Sequence, residues 1–383
     1  MGQPLLAQRR GLHLLCNGIL FALGYPLTNY LAQQADVQAN VMLPIEPLLP
    51  FIPWMIVPYA SLPLLLIASF FIRQQPTELL TLSHRMMLCT LLACLIFAAM
   101  PLHFPLPRPE SNQPLLASGY RLLGIVDQPY NQLPSLHVAY CVMLWRTLPR
   151  QFWLTLWLSV VAASTLLTWQ HLLADVAGGA VLALLVCWLL PKRLNSRQRV
   201  AFYYLIAAAL ALLWLTSTTT VWLAGYLALS LTLIARAYLL HDTDFLAKQT
   251  GHHPISRWLL YWPYLIGYRL CWLWVRHHYR QPWQSKTATL LVGRRLSSAE
   301  ASTLPADCSV IDLSPELSEP STLCQRYWHF PLLDLCAPTV SQLRPILARL
   351  QIEQQAGRTV YLHCAMGLSR SQFVAQRYLK KLQ

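Results

Sequence analysis

The amino-acid sequence predicts an all-α polytopic membrane bundle followed by a small α/β domain. Three observations carry that fold class. The 383-residue chain is 55% hydrophobic and only 11% charged, whereas soluble domains carry about 25% charged residues. Apolar runs long enough to cross a bilayer, roughly 20 residues each, recur from the N-terminus to about residue 240. Beyond residue 285 they give way to short apolar runs and an amphipathic stretch, the pattern of strands and helices around a water-soluble core.

The bundle is expected over residues 1–245, with spans at 11–32, 51–72, 86–104, 135–149, 152–170, 172–190, 201–219 and 221–240. The span at 135–149 is short. Residues 11–32 lack a small-residue cleavage pattern and are long enough to remain as an anchor. The net charge of +14 raises the question of nucleic acid, but the basic residues form no stripe on a soluble element. They gather in short connections: Arg9 and Arg10, Arg73 and Arg85, Arg146 and Arg150, then Lys192, Arg193, Arg197 and Arg199. Segments 33–50 and 216–220 hold no Lys or Arg. This alternation is the positive-inside bias, which places the basic connections in the cytoplasm. No nucleic-acid partner is expected.

Composition shifts after His241, and residues 246–285 read as an aromatic linker. Within it, 255–275 is apolar and rich in Trp and Tyr, yet holds Pro263, Arg257 and Arg269. A buried Arg is costly at mid-bilayer and aromatic–basic mixtures favour the interface, so an interfacial helix is expected rather than a ninth span. The pairs His252-His253 and His277-His278 read as solvated or lipid-facing surface. The last domain, 286–383, should contain strands at 288–292, 309–313 and 358–362 and a helix at 340–356. The ten cysteines are scattered without metal-ligand spacing, so neither a disulfide framework nor a metal site is expected. No motif calls for a cofactor.

The run His363-Cys364-Ala365-Met366-Gly367-Leu368-Ser369-Arg370-Ser371 follows a strand and precedes a helix-like segment. Successive backbone N–H groups and a helix N-terminus converge there on an anion, with Gly367, Ser369 and Ser371 as the expected phosphate-binding positions. The same positive potential favours Cys364 as a thiolate nucleophile. Arg370 can grip two phosphate oxygens with its planar fork, and Ser371 can donate to the cysteine sulfur as it leaves. These residues resemble the signature of the cysteine-dependent protein tyrosine and dual-specificity phosphatases. The resemblance implies an upstream acid that protonates the leaving oxygen, carried onto Asp334 in PLLDLCAP; Asp312, in SVIDLSPE, is expected to be a turn residue at a strand end.

Two further signatures sit at expected membrane boundaries: Leu133-Pro134-Ser135-Leu136-His137, and His171 with Asp175 in HLLADVAGG. His171 and Asp175 are one helical turn apart, so the carboxylate can reach the imidazole, fix its tautomer and ready the free nitrogen for attack on phosphorus. His137 can then protonate the departing alkoxide, and Ser135 can hold a phosphate oxygen. These residues resemble the type 2 phosphatidic acid phosphatase superfamily, which includes lipid phosphatases and inositol-phosphorylceramide synthases. The resemblance makes His171 the nucleophile, Asp175 its orienter and His137 the acid, and places Arg108, followed by Pro109, on the phosphate. Two cations of the family pattern are missing: Pro101 and Thr165 stand in their places. PSLH rather than PSGH leans towards the synthase-like branch. Arg121, in the same loop, is a candidate for restoring charge.

With a cytoplasmic N-terminus, Arg108, His137 and His171 all fall on the outer face, and eight spans return the chain to the cytoplasm at His241. The sequence therefore implies an integral multi-pass protein, assigned to a bacterial inner membrane. A histidine-based lipid-phosphate centre would lie outside, and a cysteine-based phosphatase centre in the reducing cytoplasm. Membrane lipids are the expected substrates or acceptors, with phosphoproteins as further candidates for the cysteine centre. The alternative is a degenerate membrane domain that anchors a cytoplasmic protein phosphatase.

Overall fold

The computed structural model describes residues 3–72, 76–107, 113–126, 128–190, 194–215, 221–321 and 326–382. The chain divides into two compact units, one of residues 1–194 with 209–224 and one of residues 195–208 with 225–383.

The first unit is helical: α1 (Gln3–Gln34), α2 (Ile56–Phe71), α3 (Pro76–Ala99), α4 (Pro114–Val126), α5 (Leu136–Thr147), α6 (Phe152–Leu167) and α7 (Leu173–Leu189). Two more helices, α8 (Ser196–Leu215) and α9 (Val221–Leu240), follow. Every expected span falls on a helix, but their lengths differ. Among the described residues, Arg10–Gln34, Pro53–Phe71, Glu78–Ala99 and Val221–Leu240 are long and apolar enough to cross a membrane; α6 and α7 are apolar but shorter. The span expected at 135–149 is corrected to the 12-residue α5, roughly 18 Å at 1.5 Å per residue and well short of a bilayer. Its limits are chemical. Ser135 caps it by accepting from the Val138 N–H, and Pro149 lies just beyond the C-cap Leu148. Helix α4 was not anticipated, because its 13 residues are too few to register as a span.

The core of this unit joins Leu82, Met86, Cys89, Ala93 and Phe97 of α3 to Leu136, Ala139, Tyr140, Met143 and Leu144 of α5 and to Ala183 and Val186 of α7. Gly179 is essential to that packing. A Cβ there would stand 2.3 Å from the Ser135 carbonyl oxygen, so only glycine lets α7 press against the start of α5. The close approach also brings the Ser135 N–H to the Asp175 carbonyl at 2.9 Å.

The second unit contains most of α9, then α10 (Ile255–His278), β1 (Trp283–Thr287), β2 (Leu290–Arg294), α11 (Ser298–Ala301), β3 (Ser309–Asp312), β4 (Arg326–His329), α12 (Val340–Gln355), β5 (Val360–Cys364) and α13 (Arg370–Leu382). The sheet runs β1-β2-β5-β3-β4. β1 pairs antiparallel with β2, and the other neighbours are parallel. β5 is central and fully buried, as a parallel strand covered on both faces should be. The expected strands correspond to β2, β3 and β5 and the expected helix to α12. β1 and β4 carried no signal: WQSKT and RYWH lack the alternation of a half-buried strand.

Helix α10 revises the picture of 255–275. Its inner face, Tyr261, Tyr264, Leu265, Trp272 and Val275, is buried in protein, while Ile255, Leu259, Leu270, Leu273 and Trp274 are exposed. The helix kinks at Tyr261 (φ −118°, ψ 18°), ahead of Pro263. A proline lacks the N–H that would reach the carbonyl four residues back, here Leu259. The Tyr226 hydroxyl of α9 donates to that carbonyl instead.

Candidate active sites

The first site forms where α7 begins. His171 precedes α7, and its Nδ1 lies 3.4 Å from Asp175 Oδ2. The same Oδ2 accepts the Leu172 N–H at 2.8 Å, so one carboxylate caps the helix and faces the imidazole. Asp175 is fully buried and His171 nearly so. His137, in the first turn of α5, has its ring centroid 6.4 Å from that of His171 and stacks on Tyr59 at 4.0 Å. The structure thus brings together His137, His171, Asp175 and Ser135. The Ser135 hydroxyl is buried and accepts from the Val138 N–H. Thr165, buried where the family pattern has a cation, donates to the Ala162 carbonyl. Arg108 lies outside the described residues. Arg121 is exposed on α4 and donates to Ser118, which gives no support to its folding back onto the site.

Both histidines line a cavity of about 680 Å³ whose walls are otherwise mainly apolar, including Leu62, Phe70, Leu116 and Leu123. Sequence reasoning missed Glu46. This buried carboxylate accepts the Leu173 N–H at 2.5 Å and the Leu43 N–H, so it sits at the positive end of α7, two residues past His171. A lone acid inside the apolar run LPIEPLLPF was the available signal.

The second site forms at the carboxyl end of β5, where open α/β sheets place their ligands. Cys364 is buried, with its Sγ 3.4 Å from Ser371 Oγ. Gly367 has φ +71°, and a Cβ there would stand 2.7 Å from the Arg294 nitrogen; the turn of the loop requires glycine twice over. Arg370 opens α13. Its Nη1 donates to Glu316 Oε1 and Oε2 at 2.9 and 3.0 Å and to the Leu332 carbonyl at 2.7 Å, and its Nε lies 3.3 Å from Asp334 Oδ1. Asp334 Oδ2 accepts the Tyr268 hydroxyl of α10 at 3.0 Å. Burial pushes the Glu316 carboxyl up to about 7 against the pull of Arg370. Ser369 is exposed at the start of α13. Cys364, Arg370, Ser371 and Asp334 therefore converge; Glu316 and Tyr268, which hold two of them, had no sequence signal.

Behind the loop lies a buried polar network that corrects two expectations. Asp312 is more than a turn residue at a strand end: its Oδ1 does accept the Ser314 N–H and hydroxyl, both at 2.8 Å, but it is fully buried and its Oδ2 accepts Lys248 Nζ at 2.5 Å and the Tyr327 hydroxyl at 2.6 Å. Lys248 also reaches Glu319 and the Ser314 and Leu317 carbonyls. Asp312, Glu319 and His363 together have the makings of a cation site, and the ammonium of Lys248 bonds two of them. Burial pulls Lys248 down, but the two carboxylates outweigh it and hold the ammonium above its usual range. Lys248→Met should leave two buried carboxylates uncompensated and cost about 3–5 kcal/mol, read as a lowered midpoint in thermal unfolding of the detergent-solubilised protein. The second correction is His253, whose ring nitrogens contact Ser318 Oγ at 2.9 Å and the Pro315 carbonyl at 2.6 Å, tying it into this unit rather than the surface. His252, His277 and His278 are exposed.

Residues 49–189 match the family model described as the PAP2 superfamily, a stretch that includes His137, His171 and Asp175 and supports a PAP2-like membrane domain. No curated protein and no solved structure matches the chain.

Proposed function

We propose that the chain is a membrane phosphatase with two centres, a histidine centre acting on lipid phosphates and a cysteine centre hydrolysing phosphomonoesters. The observation that carries the first is the meeting of His137, His171 and Asp175 at a cavity of about 680 Å³ with mainly apolar walls. An acyl chain can fill such a space while its phosphate meets the two imidazoles. His171 attacks phosphorus through Nε2, with Nδ1 held towards Asp175; His137 gives its proton to the leaving oxygen. Water or an alcohol then takes the phosphoryl group from His171, and His137 recovers a proton from that acceptor.

The cysteine centre rests on the motif and the geometry around Cys364. Its Sγ attacks the phosphorus, Arg370 holds two equatorial oxygens, Asp334 protonates the leaving oxygen and Ser371 donates to the sulfur when the thiophosphate is hydrolysed. The charge pattern of the connections supports an outward histidine centre and a cytoplasmic cysteine centre.

The missing cations at Pro101 and Thr165 favour a phosphodiester over a phosphomonoester at the histidine centre. Losing a charge-assisted contact to a buried anion costs about 1.5–3 kcal/mol, and a dianionic monoester suffers most. Phosphoryl transfer from a diester to an alcohol follows as the synthase-like reaction. On Cys364→Ser protein, which isolates this centre, a phospholipid diester should turn over faster than phosphatidic acid. Faster phosphatidic acid turnover, lost on Arg121→Ala, would instead mean that Arg121 supplies the charge.

A further inference from the structure

Helix α10 has two working faces, and only one is occupied by protein. On the inner face, Tyr268 donates to Asp334, Trp272 Nε1 donates to the Arg295 carbonyl at 2.8 Å, and both rings pack with Ala365 and Met366 of the phosphate loop. The outer face carries Ile255 and Leu259 before the kink and Leu270, Leu273 and Trp274 after it, positions that fall within about 100° of one side of a helix of 3.6 residues per turn.

Two observations identify what covers that outer face. The first is continuity with α9, a helix long and apolar enough to cross a membrane. The Tyr226 ring of α9 stacks on Trp262 and its hydroxyl bonds Leu259. α9 is itself apolar on its outside, with Trp222, Leu229 and Leu240 exposed. The second is charge. No acidic residue occurs between Asp244 and Glu300, while Arg269, Arg276 and Arg280 are exposed along or just past α10. An apolar stripe edged with arginines and tryptophans suits an anionic bilayer surface. It does not suit water, where so much exposed apolar surface would be unfavourable.

We infer that the outer face of α10 lies in the lipid interface and that the cysteine centre, built against its inner face, takes phosphomonoesters carried on lipid head groups. The inference rests on the phosphatase reading of Cys364 and adds the carrier of its substrate. A lipid substrate needs no excursion from the bilayer to reach a loop roofed by a helix lying in that bilayer. A phosphoprotein gains nothing from the arrangement.

The test uses full-length His171→Ala protein, which silences the other centre, in nanodiscs of about 3:1 phosphatidylcholine to phosphatidylglycerol, an anionic surface. A phosphatidylcholine bearing a photoactivatable acyl chain should label Leu259, Leu270, Leu273 and Trp274 as well as α9. Labelling confined to α9 overturns the surface. In the same discs, phosphatidic acid should be turned over at least about tenfold faster than a phosphotyrosyl peptide. The double variant Leu270→Glu, Trp274→Glu should lose lipid turnover about tenfold while p-nitrophenyl phosphate turnover stays within about twofold, because charge on the stripe opposes interfacial seating alone. Faster turnover of the peptide, or equal loss on lipid and soluble substrate, overturns the carrier. Absence of Cys364-dependent p-nitrophenyl phosphate turnover defeats the phosphatase reading and the carrier with it, and the labelling still decides the surface.

Discussion

Cys364→Ser is expected to lower turnover of p-nitrophenyl phosphate at least about 10³-fold, the order lost when a covalent nucleophile is removed, with little effect on lipid turnover by the histidine centre. The mirror variant, His171→Ala, should abolish that lipid turnover and spare the soluble substrate. The independence follows from the chemistry of each centre. In the proposed mechanism Cys364 works with Arg370, Asp334 and Ser371, which lie together, and His171 with Asp175 and His137; no residue is shared. Serine in place of Cys364 keeps the size of the side chain but not its acidity, so the phosphate loop stays formed and only the attack is lost. Measured on purified protein in detergent, loss of both activities in either single variant would mean one centre does all the work. Survival of phospholipid diester turnover in His171→Ala protein would remove His171 from the nucleophile's role.

What was legible in the sequence was local. His171 and Asp175 are four residues apart, and although His171 lies ahead of α7 and not in it, Asp175 in the first turn reaches back to the N-cap Leu172 and so faces the imidazole. The loop from His363 to Ser371 is contiguous, and a buried strand before it with a helix after it fixes its shape. The residues that escaped notice act across long stretches of chain. Glu316 reaches Arg370 from 54 residues away, Tyr268 reaches Asp334 from 66, and Glu46 reaches Leu173 from 127. No periodicity links such pairs; only the packing of helices and strands brings them together. The reading of Asp312 as a turn residue was incomplete for the same reason. Its neighbours in sequence suggest a turn, and it is Lys248, 64 residues upstream, that makes burying it possible. The short α5 shows the opposite failure, where an apolar run is counted as a span although Ser135 and Pro149 mark its ends. For the aromatic segment 255–275 composition suggested an interfacial helix but was silent on the inner face, because Tyr264 and Trp272 look the same whether they meet lipid or protein.

Asp334→Asn is expected to slow hydrolysis of alkyl phosphates about 10²–10⁴-fold, the range for loss of a general acid, and p-nitrophenyl phosphate far less. An alkoxide is a poor leaving group and must be protonated as the P–O bond breaks, whereas p-nitrophenolate departs without help. The structure places the Asp334 carboxylate between two partners, Arg370 Nε at 3.3 Å on Oδ1 and the Tyr268 hydroxyl at 3.0 Å on Oδ2. The Tyr268 hydroxyl holds the carboxylate in place for that proton transfer. Tyr268→Phe should therefore slow alkyl phosphates more than p-nitrophenyl phosphate, by a smaller factor than Asp334→Asn, and should add little in the double variant, since two residues serving one proton transfer are not additive. The measurement is kcat/KM across a series of phosphomonoesters of graded leaving-group pKa. Steepening of that dependence in both variants supports the assignment. Equal slowing of good and poor leaving groups in Asp334→Asn would show that Asp334 is not the acid, and an unchanged slope in Tyr268→Phe would reduce Tyr268 to packing against the phosphate loop.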